Sequence, residues 1–232
     1  MLRQKLMSRH RDDGFRWRGA EITRIEGLSD AVFAFAVTLL IVSLEVPKTF
    51  DELMVVIRGF FAFAICFALL LQVWHEQYRF FRRYNLQGPA SLVLNCILLF
   101  LVLFYVYPLK FLFGLVFQPR VDAIRDQDVP TLFLIYGLGF AAVSLVLALL
   151  YFHAYRHRAE LELTPWEAFV TRLSIADNLA VMCVGLLSAG LAQLVPAPYT
   201  SIIAGYVYFG VAVPKTVIGT IRGRRARALA AV

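Results

Sequence analysis

Charge is what this sequence has least of. Only 17% of its 232 residues are Asp, Glu, Lys or Arg, against about 25% in soluble domains, while 60% are hydrophobic and the mean hydropathy is +0.69. That balance excludes an ordinary soluble domain and indicates an integral membrane protein. Cysteine is nearly missing too. Cys66, Cys96 and Cys183 each stand inside an apolar run without CxxC spacing, which argues against a disulfide framework or a zinc site and reads them as small buried hydrophobes. There is no nucleophile elbow, phosphate loop or HExxH motif, so nothing points to an enzyme or to a bound cofactor. The net charge of +7 comes without a zinc-finger or RNP-type motif, so no nucleic-acid partner is indicated; basic tails meeting anionic lipid of the inner leaflet account for it. A cleavable signal peptide is also absent. Arg3, Lys5, Arg9, Arg11, Asp12, Asp13, Arg16 and Arg18 leave no apolar core ahead of the first span.

What the chain does have is long apolar runs, and they divide it into six expected crossings in an all-α, polytopic membrane protein. The first runs from Glu21 to Val46 and ends before Pro47. A second opens with Thr49-Phe-Asp-Glu52, which has capping-box spacing, and carries Leu53 through Trp74 before leaving the membrane over the basic stretch 77–84. The third spans Ala90 to Tyr107, with Pro108 and Lys110 at an interface; Phe111–Phe117 is too short to cross alone and extends or skims it. The fourth covers Val129 to His153, the fifth runs from Thr164-Pro-Trp-Glu167 to Val195, and the sixth covers Tyr199 to Ile218 with a kink near Pro214. The expected organisation is a basic N-terminal segment (1–20), a six-helix transmembrane domain (21–221) and a basic C-terminal tail (222–232). Arg79, Arg82, Arg83, Arg156, Arg158 and both tails fall on one side of this layout, so the positive-inside rule places both termini in the cytoplasm of a multi-pass cell-membrane protein.

The first crossing opens with three charges, Arg24, Glu26 and Asp30. A charge within a span is costly and marks a candidate site by default. Arg24 and Glu26 are explained by headgroup depth, whereas Asp30 lies about 14 Å along the axis from Glu21 at 1.5 Å per residue, far for so short a side chain to reach the surface. At 100° per residue, Arg24, Leu28, Ala31, Phe35, Thr38, Leu39, Val42 and Val46 share one arc, with Glu45 beside it and Asp30 pointing away. From spacing alone this stripe packs on helices or lipid, with Thr38 bonding its own i−4 carbonyl.

Arg24-Ile-Glu-Gly-Leu-Ser-Asp30 followed by Ala-Val-Phe-Ala-Phe-Ala-Val-Thr-Leu-Leu resembles the Arg-x-x-x-Phe-Ser-Asp signature and first helix of the transmembrane protein 175 family of potassium channels. Arg24, Ser29 and Asp30 match, and Leu28 replaces the family phenylalanine. Trp74 and Asn95 are also similar, while Gln77 stands where a histidine is usual. The resemblance implies a homotetramer in which four first helices line a central pore for potassium and other monovalent cations. It implies a hydrophobic constriction at Phe35, Leu39 and Val42, with Thr38 as a hydroxyl layer. Phe35 departs from the usual isoleucine or leucine. No Thr-Val-Gly-Tyr-Gly filter occurs, so the usual carbonyl-filter chemistry is excluded. Asp30 would then accept hydrogen bonds from Trp74, Asn95 or Gln77 and fix the first helix on its own subunit, and Arg24 would line the inner mouth or reach a neighbouring subunit. Glu45, Asp51 and Glu52 either gather cations at the outer mouth or form an ordinary solvated helix junction.

Elsewhere, Asp177 lies about 18 Å into the fifth helix, with Arg172 and Asn178 near at hand, and is expected to take part in inter-helix hydrogen bonding instead of a proton relay. His75, His153 and His157 sit at helix ends without a carboxylate partner and are not read as a metal or haem site. Two function classes remain: a potassium-permeable channel, with proton conduction as a further property, and a proton-coupled secondary transporter using Asp30 and Asp177. A transporter is expected to break its helices near midplane, and no such Gly/Pro interruption is read here.

Overall fold

The computed structural model describes residues 14–19, 21–42, 47–117, 124–196 and 199–230. Among them regular structure is helical: α1 Arg24–Val42, α2 Phe50–Arg58, α3 Phe60–Tyr84, α4 Pro89–Phe117, α5 Val129–Arg156, α6 Pro165–Leu194, α7 Thr200–Tyr206 and α8 Ala212–Ala230, with 3-10 turns at Asp126–Asp128 and Val207–Val211. Four stretches of the described residues are long and apolar enough to cross a membrane: Phe50–Tyr84, Pro89–Leu115, Val129–Arg156 and Pro165–Leu194.

The six expected crossings are therefore met by four, and the two at the ends of the chain fall short for different reasons. α1 has 19 residues and spends its first two turns on Arg24, Glu26 and Asp30; residues 43–46, which the sequence assigns to it, lie outside the described residues. The last crossing, expected to kink near Pro214, is divided earlier by the 3-10 turn Val207–Val211. Pro214 has no N–H for the carbonyl of Gly210, and glycines 205 and 210 weaken α-helix just before and within the turn. Two other boundaries move. α3 does not leave off at Trp74 but continues to Tyr84, closed by Asn85 in the left-handed region at φ 50°, whose N–H bonds the Phe81 carbonyl. α4 passes through Pro108 without ending and takes Phe111–Phe117 into the same helix.

Beside Pro108, α5 braces α4 through side-chain hydrogen bonds. The Tyr136 hydroxyl donates to the Pro108 carbonyl, and the Tyr105 hydroxyl, one turn earlier on α4, donates to the Tyr136 carbonyl at 2.6 Å. Gly139 leaves room for this arrangement, since a Cβ there would stand 2.2 Å from the Tyr105 ring. α5 and α6 form the most extensive helix pair. They approach at facing glycines: a Cβ on Gly137 would lie 2.5 Å from the Gly185 carbonyl oxygen, and one on Gly185 would lie 2.9 Å from that of Gly137. Small residues at a crossing let two backbones come close in hydrocarbon, where helices associate by contact more than by exclusion of water. The core continues through Leu98, Leu150, Tyr151, Phe80 and Tyr84, all buried, with Phe80 and Tyr84 set edge-on against Tyr151.

The cysteine expectation holds only for Cys66, which is buried. Cys96 and Cys183 are exposed on the outer faces of α4 and α6, as an apolar residue can be when the surroundings are lipid or another subunit.

The facing glycines yield a stability test. Gly137→Ala is expected to destabilise the folded chain by about 1–3 kcal/mol through overpacking, read as a lower thermal midpoint in detergent. Gly190→Ala, on the same helix as Gly185 with no atom within 4 Å of the new methyl, is expected to leave the midpoint at or above wild type.

Candidate functional site

α1 begins with a device that the sequence reading passed over. Thr23 and Glu26 form a reciprocal cap: the Glu26 N–H donates to Thr23 Oγ1 at 3.2 Å and the Thr23 N–H to Glu26 Oε2 at 2.8 Å. Glu26 is buried and its charge serves the positive end of the helix dipole. The Thr-x-x-Glu spacing at 23–26 was the available signal.

Two turns on, a chain of side-chain hydrogen bonds fixes the rotation of the helix. Gln77 of α3 donates through Nε2 to Asn95 Oδ1 at 2.9 Å; Asn95 of α4 donates through Nδ2 to Ser29 Oγ at 3.0 Å; Ser29 donates to the Ile25 carbonyl at 2.8 Å. All three side chains are buried. Asp30 is held separately, by Trp74 Nε1 at 2.8 Å, with Trp74 stacked on Tyr78. Of the three donors expected for Asp30, Trp74 is the one that serves it, while Asn95 and Gln77 are joined to Ser29. Ser29 points into the subunit while Asp30, 100° round the helix, opens on a groove lined by Phe33, Ala34, Val37, Leu70, Leu71 and Trp74. At its other end α1 is held by Lys110, placed at an interface by the sequence, whose Nζ donates to the Leu40 carbonyl at 3.0 Å.

With one side so anchored, the opposite side is free. Phe33, Ala36 and Leu40 are buried against α3 and α4, whereas Arg24, Leu28, Ala31, Phe35 and Thr38 are exposed, Phe35 to 56%. Thr38 bonds the Ala34 carbonyl at 2.9 Å, so its hydrogen is committed to the backbone while its oxygen keeps acceptor capacity. Leu39 lies off this free face, half-buried against the core. Val42 is on α1, but its side chain lies outside the described residues, as does Glu45 entirely. Asp51 and Glu52 are exposed in the first turn of α2. The expected cap forms there: Thr49 Oγ1 accepts from the Glu52 N–H at 3.2 Å, and the Glu52 carboxylate accepts from the Lys48 N–H at 2.7 Å.

Asp177 takes its polar partner from another helix, not from Arg172 or Asn178 of its own. It pairs with Lys215 of α8 at 3.6 Å, while Asn178 bonds the Ser174 carbonyl of its own helix and Arg172 is exposed. Asp177 borders a small polar cavity with Glu76, Arg79 and Arg222. His153 and His157 meet edge-on with ring centroids 4.6 Å apart, and His157 does have a carboxylate neighbour, Glu160, at 2.9 Å. Among the described residues no three metal-ligating side chains gather.

Asn95 joins two helices to α1, so its loss strands both partners. Asn95→Ala is expected to destabilise by about 1–3 kcal/mol, the cost of an unsatisfied buried polar group. In a double-mutant cycle with Ser29→Ala, read from reversible unfolding in detergent, the coupling is expected at about 0.6 kcal/mol and below about 1.7.

Relatives share this framework. A family model described as endosomal/lysosomal potassium channel TMEM175 matches residues 24–105, from the start of α1 into α4. A protein of Marivirga tractuosa named potassium channel is 40% identical over 230 residues, covering 93% of each chain. One from Chamaesiphon minutus, also named a potassium channel, is 29% identical over 143 residues, covering 58% of this chain and 66% of its own. The solved structure of the T38A variant of the potassium channel MtTMEM175, bound to a nanobody–MBP fusion, superposes with a TM-score of 0.79 at 39% identity over 91% of this chain and 97% of that one. A second solved structure, the TMEM175 homolog of Chamaesiphon minutus, shares the fold at a TM-score of 0.52 and 24% identity, over 83% and 99% of the two chains. With a relative this similar along nearly its full length and the matched segment coinciding with the anchored helix, the chain belongs to the TMEM175 family.

Proposed function

We propose that this protein is a potassium-permeable cation channel of the cell membrane, with both termini cytoplasmic. In this reading α1 from each of four copies lines a central pore. Phe35, Thr38, Leu39 and Val42 form a constriction that gates or filters by dewetting and side-chain size in place of a carbonyl cage. The observation that carries the proposal is the two-sidedness of α1. One face is held to its own subunit by Ser29, Asp30 and Leu40, and the other, bearing Arg24, Leu28, Phe35 and Thr38, is exposed among the described residues. A span with an unpartnered face and a fixed rotation suits an axis shared by identical copies. In this reading the half-buried Leu39 stands at the edge of the constriction and Phe35 is its bulkiest element.

Arg24 stands at the cytoplasmic mouth, with monovalent cations as the permeant species and no cofactor required. Asp51 exposes a carboxylate at the opposite end, while Glu52 is committed to its cap. The rival, a proton-coupled transporter titrating Asp30 and Asp177, draws less support: Trp74 and Lys215 already engage these two carboxylates, which sit on different helices beside different cavities.

The test is ion flux from proteoliposomes under potassium or sodium gradients. Wild type is expected to pass potassium passively and faster than sodium, Phe35→Ala to raise the rate several-fold by widening the constriction, and Thr38→Ala to change the potassium-to-sodium ratio. Flux that is coupled to protons and unaltered by both substitutions would return the stripe to a packing role and move attention to Asp30 and Asp177.

A further inference from the structure

Residues Phe15–Gly19 lead into α1, and their basic members were read from sequence as facing lipid. Arg18 does not. Its guanidinium is folded into the subunit, with Nη2 at 2.8 Å and Nη1 at 3.3 Å from the two carboxylate oxygens of Glu167 in the first turn of α6, a forked pair in which Glu167 is only 1% exposed. Its Nε also donates to the Leu161 carbonyl in the α5–α6 connection at 3.0 Å. The Arg16 N–H donates to the same Glu167 carboxylate at 2.8 Å. Glu167 meanwhile completes the capping box with Thr164, so one carboxylate terminates α6 and holds the strap.

The strap grips α3 as well. The N–H groups of Arg18 and Gly19 donate to the Arg82 carbonyl at 3.0 and 3.1 Å, and Arg82 Nη1 returns a bond to the Gly19 carbonyl at 3.1 Å. Phe15 is fully buried, edge-on to Tyr84 and under the Arg83 guanidinium at 4.8 Å. A Cβ at Gly19 would stand 3.2 Å from the Phe81 carbonyl oxygen, so the backbone runs directly against the end of α3. α1 itself packs on α3 and α4, and among the described residues no comparable packing joins it to α5 or α6. Four residues separate Gly19 from Arg24. The strap is therefore the direct connection between the α5–α6 pair and the start of α1.

We infer that Arg18 and Glu167 are a positioning pair, setting where the cytoplasmic end of α1 stands relative to α6 and thereby the conductance of the inner mouth. The effect on conductance rests on the channel reading of α1; the positioning of the helix does not.

Two readouts separate them. The first is amide hydrogen exchange on the purified full-length protein, comparing wild type with Arg18→Ala, Arg18→Lys, Glu167→Gln and, as a control, Arg156→Ala, an exposed arginine on the cytoplasmic side of the sequence layout. Arg18→Ala and Glu167→Gln are expected to speed exchange at least several-fold over residues 15–19 and the first two turns of α1, leaving α4 unchanged. Arg18→Lys keeps the charge without the fork and is expected to fall between. Glu167→Gln retains an acceptor for the α6 cap, so the fold is preserved while the charge is lost. The second readout is potassium flux from proteoliposomes, expected to change at least several-fold in rate with an unchanged potassium-to-sodium ratio. Arg156→Ala is expected to match wild type in both. The inference is overturned if the strap loosens while α1 exchange stays at wild type, or if Arg156→Ala reproduces the flux change. If wild type passes no potassium, the channel reading fails and the exchange result alone decides the positioning.

Discussion

A buried polar group in a membrane subunit has few places to turn, and that constraint governs α1. Ser29, Asn95 and Gln77 are buried where bulk water does not reach, so each takes its partner from the next, across three helices. The energy of each bond is small; its geometric consequence is large. Once Ser29 must face α4, the 100° step of the helix decides that Asp30 faces Trp74 and that Leu28, Phe35 and Thr38 face away from the subunit. The free stripe is a consequence of what is anchored behind it.

The remaining helices answer to the same rule in a different chemistry. Pro108 removes a backbone donor from the middle of α4, and Tyr136 and Tyr105 reconnect that helix to α5 by exchanging hydroxyl and carbonyl groups. Gly137 and Gly185 then let α5 and α6 approach until their backbones touch, which makes this pair the most closely built part of the molecule. α1 is the opposite case, a helix with one packed side, held at its ends and along one flank by single hydrogen bonds.

Much of this was legible in the residues. The helical class, the cap at Thr49 and Glu52 and the proline-started α6 all follow from local rules that need only spacing or one motif, and Trp74 was one of three donors expected for Asp30. What escaped was set at long range. Asn95 chose Ser29 over Asp30, and Asp177 chose Lys215 over the nearby Arg172 and Asn178, because partners on other helices depend on rotation and depth, which sequence does not display. Arg18 is the clearest instance. As one of several arginines in a basic segment it looked interchangeable with its neighbours, and only the folded chain distinguishes it by the buried Glu167, 149 residues away. Cys96 and Cys183 erred the other way, since apolar neighbours in sequence do not separate a core-facing helix side from an outward-facing one.

The turn at Val207–Val211 carries a mechanical meaning. A 3-10 segment rises about 2.0 Å per residue against 1.5 Å in an α-helix, so five residues in this form span about 2.5 Å more than they would as α-helix. That increment is comparable to the differences in hydrocarbon thickness between cellular membranes. The final segment therefore reaches farther per residue over this turn than the α-helical segments on either side of it.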